Sequence, residues 1–319
     1  MLAEAIESVL NQRNVNLEVI VIDDCSTDGT EEFVRSIHDE RIRYFRNEKN
    51  SGLEHNRNSG LKNARGKYIT YLDDDDYYTD YDFFSKAIDI FREHDNSDNP
   101  LSFVCANSYS LNVNTGEKTP HNIGRPGRVK GLDYILKGNE YRKPLSTFPT
   151  VFKSEVLKQA GLFDAILFDT MTYIQAALEG DAWFMSDVIG VYRTGHASMT
   201  LGYAKRDTER DARFYRVAEE NFKRYQQVKE KLYSRIEKKK ADRWYISKML
   251  MLMGYSAIAR PNIKDRIKVA RIILSESGFM PKLWIRMMLS PFKSILKKIT
   301  PLRRVYKKIK YGDSHHGEI

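Results

Sequence analysis

Four consecutive aspartates are the residues of this sequence whose side chains and spacing best suit the binding of a cation. They follow an apolar stretch at residues 67–72 and are Asp73, Asp74, Asp75 and Asp76. Carboxylates held this close together repel one another unless a cation neutralises them, and hard oxygen ligands suit Mg²⁺ or Mn²⁺. A divalent ion of this kind can bind a diphosphate and stabilise its charge as it leaves. The alternative interpretation is an acidic turn followed by a helix cap at Asp80 or Asp82.

A second acidic group favours the metal site over the acidic turn. Asp23 and Asp24 end the almost continuous apolar run that begins at residue 17, a pattern typical of a buried parallel strand. In α/β sheets, ligands bind in the crevice at the carboxyl ends of the strands. We therefore predict that the two acidic groups converge on one crevice.

The elements that must position these acids alternate between helix and strand. The sequence predicts helices at residues 2–12, 52–64 and 81–93, and strands at 17–24, 41–46, 67–72, 101–106 and 148–152. Residues 110–138 are rich in turn-forming residues and predict irregular loops, whereas residues 181–192 predict a hairpin or paired strands. The alternation predicts an α/β fold with a mostly parallel sheet flanked by helices.

Composition excludes several classes of protein. The chain has 319 residues, of which 41% are hydrophobic and 30% charged, as in soluble globular proteins. It has no run of about 20 apolar residues that could span a bilayer, and the residues after Met1 do not have the pattern of a secretory signal. Cys25 and Cys105 give neither a disulfide framework nor metal-ligand spacing, which predicts a cytoplasmic protein.

The positive charge is concentrated near the end of the chain. Residues 280–312 contain ten Lys or Arg and no acid, and the whole chain has a net charge of +9, which leaves about −1 for the rest. Apolar stripes alternate with these basic residues, so we predict an interfacial helix on an anionic membrane surface. A helix packed on the catalytic domain with a solvated basic side is the alternative. No nucleic-acid module is recognisable, so nucleic acid is not an expected partner.

Several blocks of sequence, in order and spacing, resemble bacterial family 2 glycosyltransferases. The blocks are Ser8-Val-Leu-Asn-Gln12, Val19-Ile-Val-Ile-Asp-Asp-Cys-Ser-Thr-Asp28, Asn50-Ser-Gly-Leu-Glu-His-Asn-Arg-Asn-Ser-Gly60 and Ala64-Arg-Gly-Lys-Tyr-Ile-Thr-Tyr-Leu-Asp-Asp-Asp-Asp76, followed later by Gly161-Leu-Phe-Asp164 and Val191-Tyr-Arg193. The resemblance covers about residues 2–200. It implies a GT-A type glycosyltransferase domain at residues 1–204, followed by a C-terminal helical region at residues 205–319 that ends in the basic tail.

The resemblance implies roles for individual residues. Those expected to bind the nucleotide-sugar are Asp23, Asp24, Arg57, Asp73 and Asp74. Within this set, the Asp24 carboxylate would accept an N–H hydrogen bond from the base, whereas Asp23 would support the loop. The metal ligands implied for Mg²⁺ or Mn²⁺ are Asp75, Asp73 and His196.

The resemblance also implies a catalytic base. An inverting transferase needs a carboxylate that deprotonates the acceptor hydroxyl. The family has Glu-Asp at the start of a helix at the position that reads Phe168-Asp169 in this chain. We therefore expect Asp169 to be the base, although an aspartate at this position could also be a helix N-cap.

One departure from the family concerns the first strand. The family begins with a strand whose end contacts the nucleotide, and this chain begins in the helix that follows it. Loss of a core strand exposes the edges of its neighbours. We expect a protein that starts at Met1 to be less stable and less active than one extended upstream, and equal activity would contradict this hypothesis.

Together these features predict an inverting, metal-dependent glycosyltransferase. The expected donor is a nucleoside diphosphate-sugar carrying UDP, and the expected acceptor is a glycan or lipid-linked glycan. The expected location is the cytoplasmic face of a bacterial membrane, where the protein would be peripheral. One alternative is a nucleotidyltransferase, although no glycine-rich phosphate loop is visible near the start. Another is a non-catalytic scaffold descended from a transferase, which the change to Phe168 favours.

Overall fold

The computed structural model describes residues 1–96, 98, 100–137, 140–159, 169–195, 208–259, 267 and 271. The chain divides into two compact units, Met1–Asn221 and Phe222–Ile319. The boundary expected between residues 204 and 205 lies outside the described residues. His196, Phe168 and the basic tail at residues 280–312 also lie outside them.

The first part of the chain forms a parallel βαβ unit. Its elements are α1 (Leu2–Leu10), β1 (Val19–Asp23), α2 (Thr30–Ser36), β2 (Ile42–Arg46) and α3 (Leu53–Asn63). Strands β1 and β2 pair in parallel from Val19 beside Ile42 to Asp23 beside Arg46. They form a sheet of their own, since β1 pairs only with β2 in the part of the chain that the structure describes.

A larger sheet of seven strands follows. Its strands are β3 (Tyr68–Ile69), β4 (Tyr77–Tyr78), β5 (Leu101–Asn112), β6 (Lys118–His121), β7 (Gly127–Val129), β8 (Thr150–Lys153) and β9 (Asp181–Thr194). The order is β3-β8-β5-β9-β4, with β6 beside β5 and β7 beside β9. The helices of this region are α4 (Phe83–His94), α5 (Gly131–Leu136), α6 (Ser154–Gln159) and α7 (Thr170–Glu179).

The α/β class is confirmed, but the larger sheet is mixed where a mostly parallel one was expected. Among the described strands of this sheet, β5 and β9 run parallel and the other pairings are antiparallel. The difference arises partly in residues 110–138, which were expected to be irregular loops and which contain β6, β7 and α5. Only five residues separate β5 from β6. A connection this short permits an antiparallel hairpin but not a parallel crossover.

The expected hairpin at residues 181–192 is also wrong, because β9 is one strand of 14 residues. Gly190 lies within it and makes no turn. A Cβ built on Gly190 would lie 2.5 Å from the Tyr77 carbonyl oxygen and 2.7 Å from the Phe148 ring. The glycine therefore allows β4 to approach β9 closely.

The hydrophobic core surrounds β5, whose residues from Leu101 to Ser108 are all buried. On one face β5 packs against α4, where Phe83 and Phe91 are at most 1% exposed. Phe103 packs edge-on against Tyr173 of α7, with ring centroids 5.5 Å apart. Burial on both faces explains why residues 103–106 of β5 are all apolar and do not alternate with polar residues.

The second unit is helical in its described part. It contains the end of helix α8 (Thr208–Tyr233) and helix α9 (Lys238–Ala259). Tyr225 and Trp244 join the two helices with ring centroids 5.9 Å apart, and Tyr233 donates a hydrogen bond to Asp242. Across the described ranges, no helix combines the length and the apolar character needed to cross a membrane.

Candidate active site

The acidic run forms a turn between β3 and β4. The backbone N–H of Asp76 donates to the Asp73 carbonyl oxygen at 3.2 Å and closes it. Asp73 and Asp75 are half-buried, Asp74 is exposed and Asp76 is completely buried. The turn thus presents its side chains at different depths, with Asp74 facing water.

Arg193, near the end of β9, holds this turn in place. Its backbone N–H donates to Asp76 Oδ1 at 2.9 Å, and its Nη1 donates to the Asp75 carbonyl oxygen at 2.7 Å. Its Nη2 forms an ion pair with Glu4 of α1, and its guanidinium lies 4.3 Å from the centre of the Tyr77 ring. One side chain thereby fixes the backbone of the turn against two other elements.

Arg57 of α3 connects the acidic turn to the expected catalytic base. Its side chain is only 6% exposed. Nη1 donates to Asp169 Oδ1 at 2.6 Å, and Nη2 donates to Asp73 Oδ1 at 3.4 Å. Burial disfavours the charged guanidinium, but the carboxylates of Asp169 and Asp73 outweigh it and raise the pKa of Arg57. The structure therefore brings together three residues that the sequence named from separate blocks.

Asp169 stands at the N-cap position of α7, but its carboxylate makes no capping hydrogen bond there. Oδ1 accepts from Arg57, and Oδ2 lies 3.8 Å from Lys143 Nζ. Burial opposes ionisation of Asp169, yet the charges of Arg57 and Lys143 outweigh it and lower the pKa of this carboxyl group. Burial also lowers the pKa of Lys143. Asp169 is thus an ionised carboxylate held between two cations, not a side chain that caps its helix.

The acidic pair at the end of β1 is held by the loops around it. Asp24 accepts hydrogen bonds from the backbone N–H groups of Ser51 and Gly52 at 2.7 and 2.8 Å, and from the Asn47 side chain at 2.8 Å. Burial opposes ionisation, but these bonds outweigh it and lower the pKa of Asp24. Gly52 is the N-cap of α3, the helix that carries Arg57. At 1.5 Å per residue, Arg57 lies about 7.5 Å further along the axis of α3.

Asp23 is buried and supports the turn that follows β1. It accepts hydrogen bonds from the Ser26 backbone N–H at 2.8 Å and from the Tyr44 hydroxyl group. Burial opposes ionisation, but these hydrogen bonds and the charge of Arg46 lower the pKa of Asp23. The backbone at Cys25 has a positive φ of 65°, so the chain turns sharply after the two acids.

The acidic turn has the chemistry of a divalent cation site. Burial raises the pKa of Asp73, and the charges of Asp169 and Asp75 add to the effect. Burial likewise raises the pKa of Asp76 to about 8, and its Oδ2 atom has no hydrogen-bond partner within the described part of the chain. Ionising both carboxyl groups is therefore costly unless a cation is close, and their oxygen donors are those that Mg²⁺ and Mn²⁺ prefer.

The described residues supply part of a coordination shell for such an ion. Across the described ranges, no three His, Cys, Asp or Glu side chains are close enough together to hold a metal ion by themselves. Mg²⁺ is usually held by one or two carboxylates together with substrate phosphates, so Asp73 and Asp75 fit this kind of site.

Two residues of the site were missed by the reasoning from sequence. Lys143 lies in an irregular segment with no local pattern that would mark it. Arg193 ends the block Val191-Tyr-Arg193, which resembles the family but for which the sequence indicated no role. Lys143 and Arg193 contact aspartates that are distant in sequence, so these contacts become visible only in the folded chain.

Comparisons with known proteins agree with this geometry. Residues 1–156 match the family model described as glycosyl transferase family 2. The putative colanic acid biosynthesis glycosyl transferase WcaA of Escherichia coli strain K12 is 28% identical over 231 residues, which cover 69% of this chain and 77% of that protein. An uncharacterized glycosyltransferase of Rickettsia felis is 53% identical over 167 residues, which cover 50% of this chain and only 25% of that protein.

A solved structure shares the fold of this chain. The crystal structure of S. aureus TarS 1–349 has a TM-score of 0.63 at 17% sequence identity, and the match covers 100% of this chain and 90% of that one. This likeness confirms the expected GT-A type α/β fold.

Proposed function

We propose that this chain, whose residues 1–156 belong to glycosyl transferase family 2, is a glycosyltransferase of surface-glycan biosynthesis. It moves a sugar from a nucleoside diphosphate donor, with UDP as the expected nucleotide, to a hydroxyl group of a growing glycan. The observation that carries the proposal is the buried Arg57, which contacts both Asp169 and Asp73. Family membership and the WcaA relative's name support the same reaction class.

The donor would lie between the end of β1 and the acidic turn. A carboxylate has about four lone-pair sites, and Asp24 accepts hydrogen bonds from Ser51, Gly52 and Asn47, with Asn56 as a further partner. An N–H group of the base would therefore displace one of these donors or share an oxygen with it. Asp23 keeps the loop in position, while Asp73 and Asp74 would face the sugar and phosphate end of the donor.

A divalent ion, Mg²⁺ or Mn²⁺, would be held by Asp75 and Asp73 with His196 as a further ligand, and it would supply Lewis-acid stabilisation of the leaving diphosphate. Arg193 donates hydrogen bonds to the Asp75 carbonyl oxygen and to the Asp76 carboxylate, so the turn is in position before the donor binds. This preorganisation reduces the rearrangement needed for binding.

Asp169 would accept the proton of the acceptor hydroxyl in an inverting displacement. Its lowered pKa keeps it ionised, and therefore able to accept a proton, at neutral pH. Arg57 orients the carboxylate through Oδ1, and Lys143 lies on the side of Oδ2. These two cations also stabilise the negative charge of the base in a site with little water.

The acceptor is a glycan or lipid-linked glycan, and we place the protein at the cytoplasmic face of a bacterial membrane. The support for this location is the composition of residues 280–312, with ten basic residues and no acid. A segment of this kind is attracted to anionic lipid headgroups. The protein would therefore be peripheral on the membrane.

Donor turnover tests the proposal. The purified protein with Mn²⁺ would be incubated with UDP-, GDP- and dTDP-sugars, and nucleotide release would be measured beside an Asp75→Ala variant. We expect turnover of one donor, and its loss in the variant. Asp89→Ala is the matched control, because Asp89 is an exposed aspartate that pairs with Arg92 on α4. Donor binding without turnover would favour the scaffold alternative, and neither binding nor turnover of any donor would contradict the proposal.

A further inference from the structure

A cleft of about 530 Å³ is lined in part by Arg142, the residue that precedes Lys143. Its lining comes from residues 122–126 and from residues 140 and 142, and includes Asn122, Arg125, Glu140 and Arg142. The cleft belongs neither to the acidic turn nor to the end of β1. Its side chains have no role in the site assigned so far.

Backbone contacts hold the two walls of this cleft together. The Arg142 N–H donates to the Ile123 carbonyl oxygen at 2.8 Å, and the Ile123 N–H donates to Asn107 Oδ1 of β5 at 2.9 Å. Gly124 has a φ of +142°, and a Cβ at this position would lie 3.3 Å from the Glu140 carbonyl oxygen. The cleft is therefore anchored to the central strand of the larger sheet, and a glycine permits its walls to approach.

The cleft has an excess of positive charge. Arg125 and Arg142 are both exposed, and neither guanidinium forms an ion pair with a described residue. Glu140 supplies one negative charge, so the two arginines leave the lining with a net charge of +1. Guanidinium groups present a planar set of donors that matches phosphate and carboxylate oxygens.

The chain connects the cleft directly to Asp169. Lys143 follows Arg142, and its Nζ lies 3.8 Å from Asp169 Oδ2. Arg57 contacts the other carboxylate oxygen, Oδ1, at 2.6 Å. Adjacent Cα atoms are about 3.8 Å apart, so the backbone of a residue that lines the cleft is next to the backbone of the residue that contacts Asp169.

We propose that this cleft is a subsite for an anionic group of the acceptor, a phosphate or a carboxylate, held by Arg125 and Arg142. The inference rests on the proposed function, in which Asp169 is the base and the acceptor hydroxyl must reach it. The cleft would hold the anionic group while the reacting hydroxyl extends along residues 142 and 143 towards Asp169. The acceptor is thereby predicted to be an acidic or phosphorylated glycan, not a neutral one.

The test is anion binding measured by calorimetry on the full chain in metal-free buffer. Inorganic phosphate and glucuronate are the probes for the two sources of negative charge. An Arg125→Gln/Arg142→Gln variant is compared with Arg35→Gln/Arg92→Gln, which removes the same charge from exposed arginines on α2 and α4. We expect the wild type to bind at least one probe and the cleft variant to bind it about tenfold or more weakly. The control variant should bind it as the wild type does.

Each outcome separates the cleft from the donor site. Binding of phosphate alone indicates a phosphorylated acceptor, and binding of glucuronate alone indicates a uronic acid. Equal affinity of the wild type and the cleft variant, or no binding of either probe, would overturn the subsite. Asp75→Ala should bind the probe normally while losing donor turnover. Arginine-dependent anion binding in a protein with no donor turnover would instead overturn the proposed function, and with it the acceptor role of the cleft.

Discussion

Arg57 is a positive charge enclosed by protein, and its position depends on the two carboxylates beside it. Its side chain is 6% exposed, whereas Asp169 is 19% and Asp73 is 35% exposed. Removing a charge from water is costly unless good geometry and further hydrogen bonds compensate for it. In this site the compensation comes from the residues to which we assign the chemistry. We therefore expect stability and activity to be coupled at this position.

Replacing Arg57 with Met should destabilise the protein by about 3 kcal/mol, because it leaves two partly buried carboxylates without their cation. Unfolding in urea, followed by circular dichroism, measures the change. Arg35→Met is the control, since the Arg35 side chain is 64% exposed and pairs with Glu31 on the same helix. That substitution should cost no more than about 0.5 kcal/mol. Equal effects of the two substitutions would show that Arg57 is not a buried ion-pair partner.

Residues of the candidate site differ in how far sequence could identify them. Asp73, Asp75 and Arg57 lie in sequence blocks whose order and spacing resemble the family. Asp169 lies at a position where the resemblance implies an acid. Lys143 was missed because its partner Asp169 is 26 residues away and no periodic pattern links the two. Contacts between irregular segments leave no local signature in sequence.

At the scale of elements, β9 and β4 position the acidic turn. β9 carries Arg193, and β4 begins at Tyr77, immediately after Asp76. The two strands pair antiparallel, with Tyr77 beside Val191 and Tyr78 beside Gly190. The position of the turn therefore depends on the close approach of β4 at Gly190.

A Gly190→Ala substitution should destabilise the protein by about 1–3 kcal/mol, because the added methyl group would collide with the Tyr77 backbone and the Phe148 ring. Gly60→Ala is the contrasting variant. Gly60 lies within α3, and its added Cβ would meet its nearest neighbour at 3.9 Å. Alanine there should stabilise the protein by about 0.5–1 kcal/mol through its better helix propensity. Thermal unfolding shows whether stability falls in Gly190→Ala and rises in Gly60→Ala. A Gly190→Ala protein as stable as the wild type would contradict this account of β4.

The elements themselves were partly predictable. Helix α3 and strand β1 lie within a few residues of their expected bounds. Residues 181–192 were expected to form a hairpin or paired strands, and sequence does not distinguish a glycine at a turn from one at a close approach such as Gly190. The short strands β6 and β7 were missed because their pairing with β5 and β9 is decided by tertiary contacts, not by propensity.

For the whole molecule, acid sensitivity follows from carboxylates with lowered pKa values. Asp23, Asp24 and Glu18 are each buried to some degree, but hydrogen bonds outweigh burial and lower their pKa values, and the charges of Arg46 at Asp23 and Arg43 at Glu18 add to the effect. In the unfolded chain such groups titrate near pH 4. Each therefore contributes stability that is complete above about pH 4 and is lost as the pH falls through the lower pKa of the folded state.

Asp24→Asn isolates one of these contributions. At pH 7 the variant should be less stable than the wild type, because it loses the charged acceptor of three hydrogen bonds. Below about pH 4 the difference should shrink, because the wild-type carboxyl group becomes protonated as well. The urea concentration at the midpoint of unfolding is measured for both proteins from about pH 2.5 to about pH 7, a range that includes the carboxyl pKa of the unfolded chain. A difference that stays constant with pH would show that ionised Asp24 does not stabilise the fold.

The most direct test of the central claim is the turnover of the accepted donor by Asp169→Asn in the presence of Mn²⁺. Asparagine retains the shape of the side chain but cannot accept the proton, so kcat should fall by about 10²- to 10⁴-fold. The dissociation constant of the donor should stay near the wild-type value, and the exposed control Asp89→Asn should behave as the wild type. Loss of kcat with donor binding retained would support Asp169 as the base of a sugar transfer. Unchanged turnover in Asp169→Asn would contradict the account.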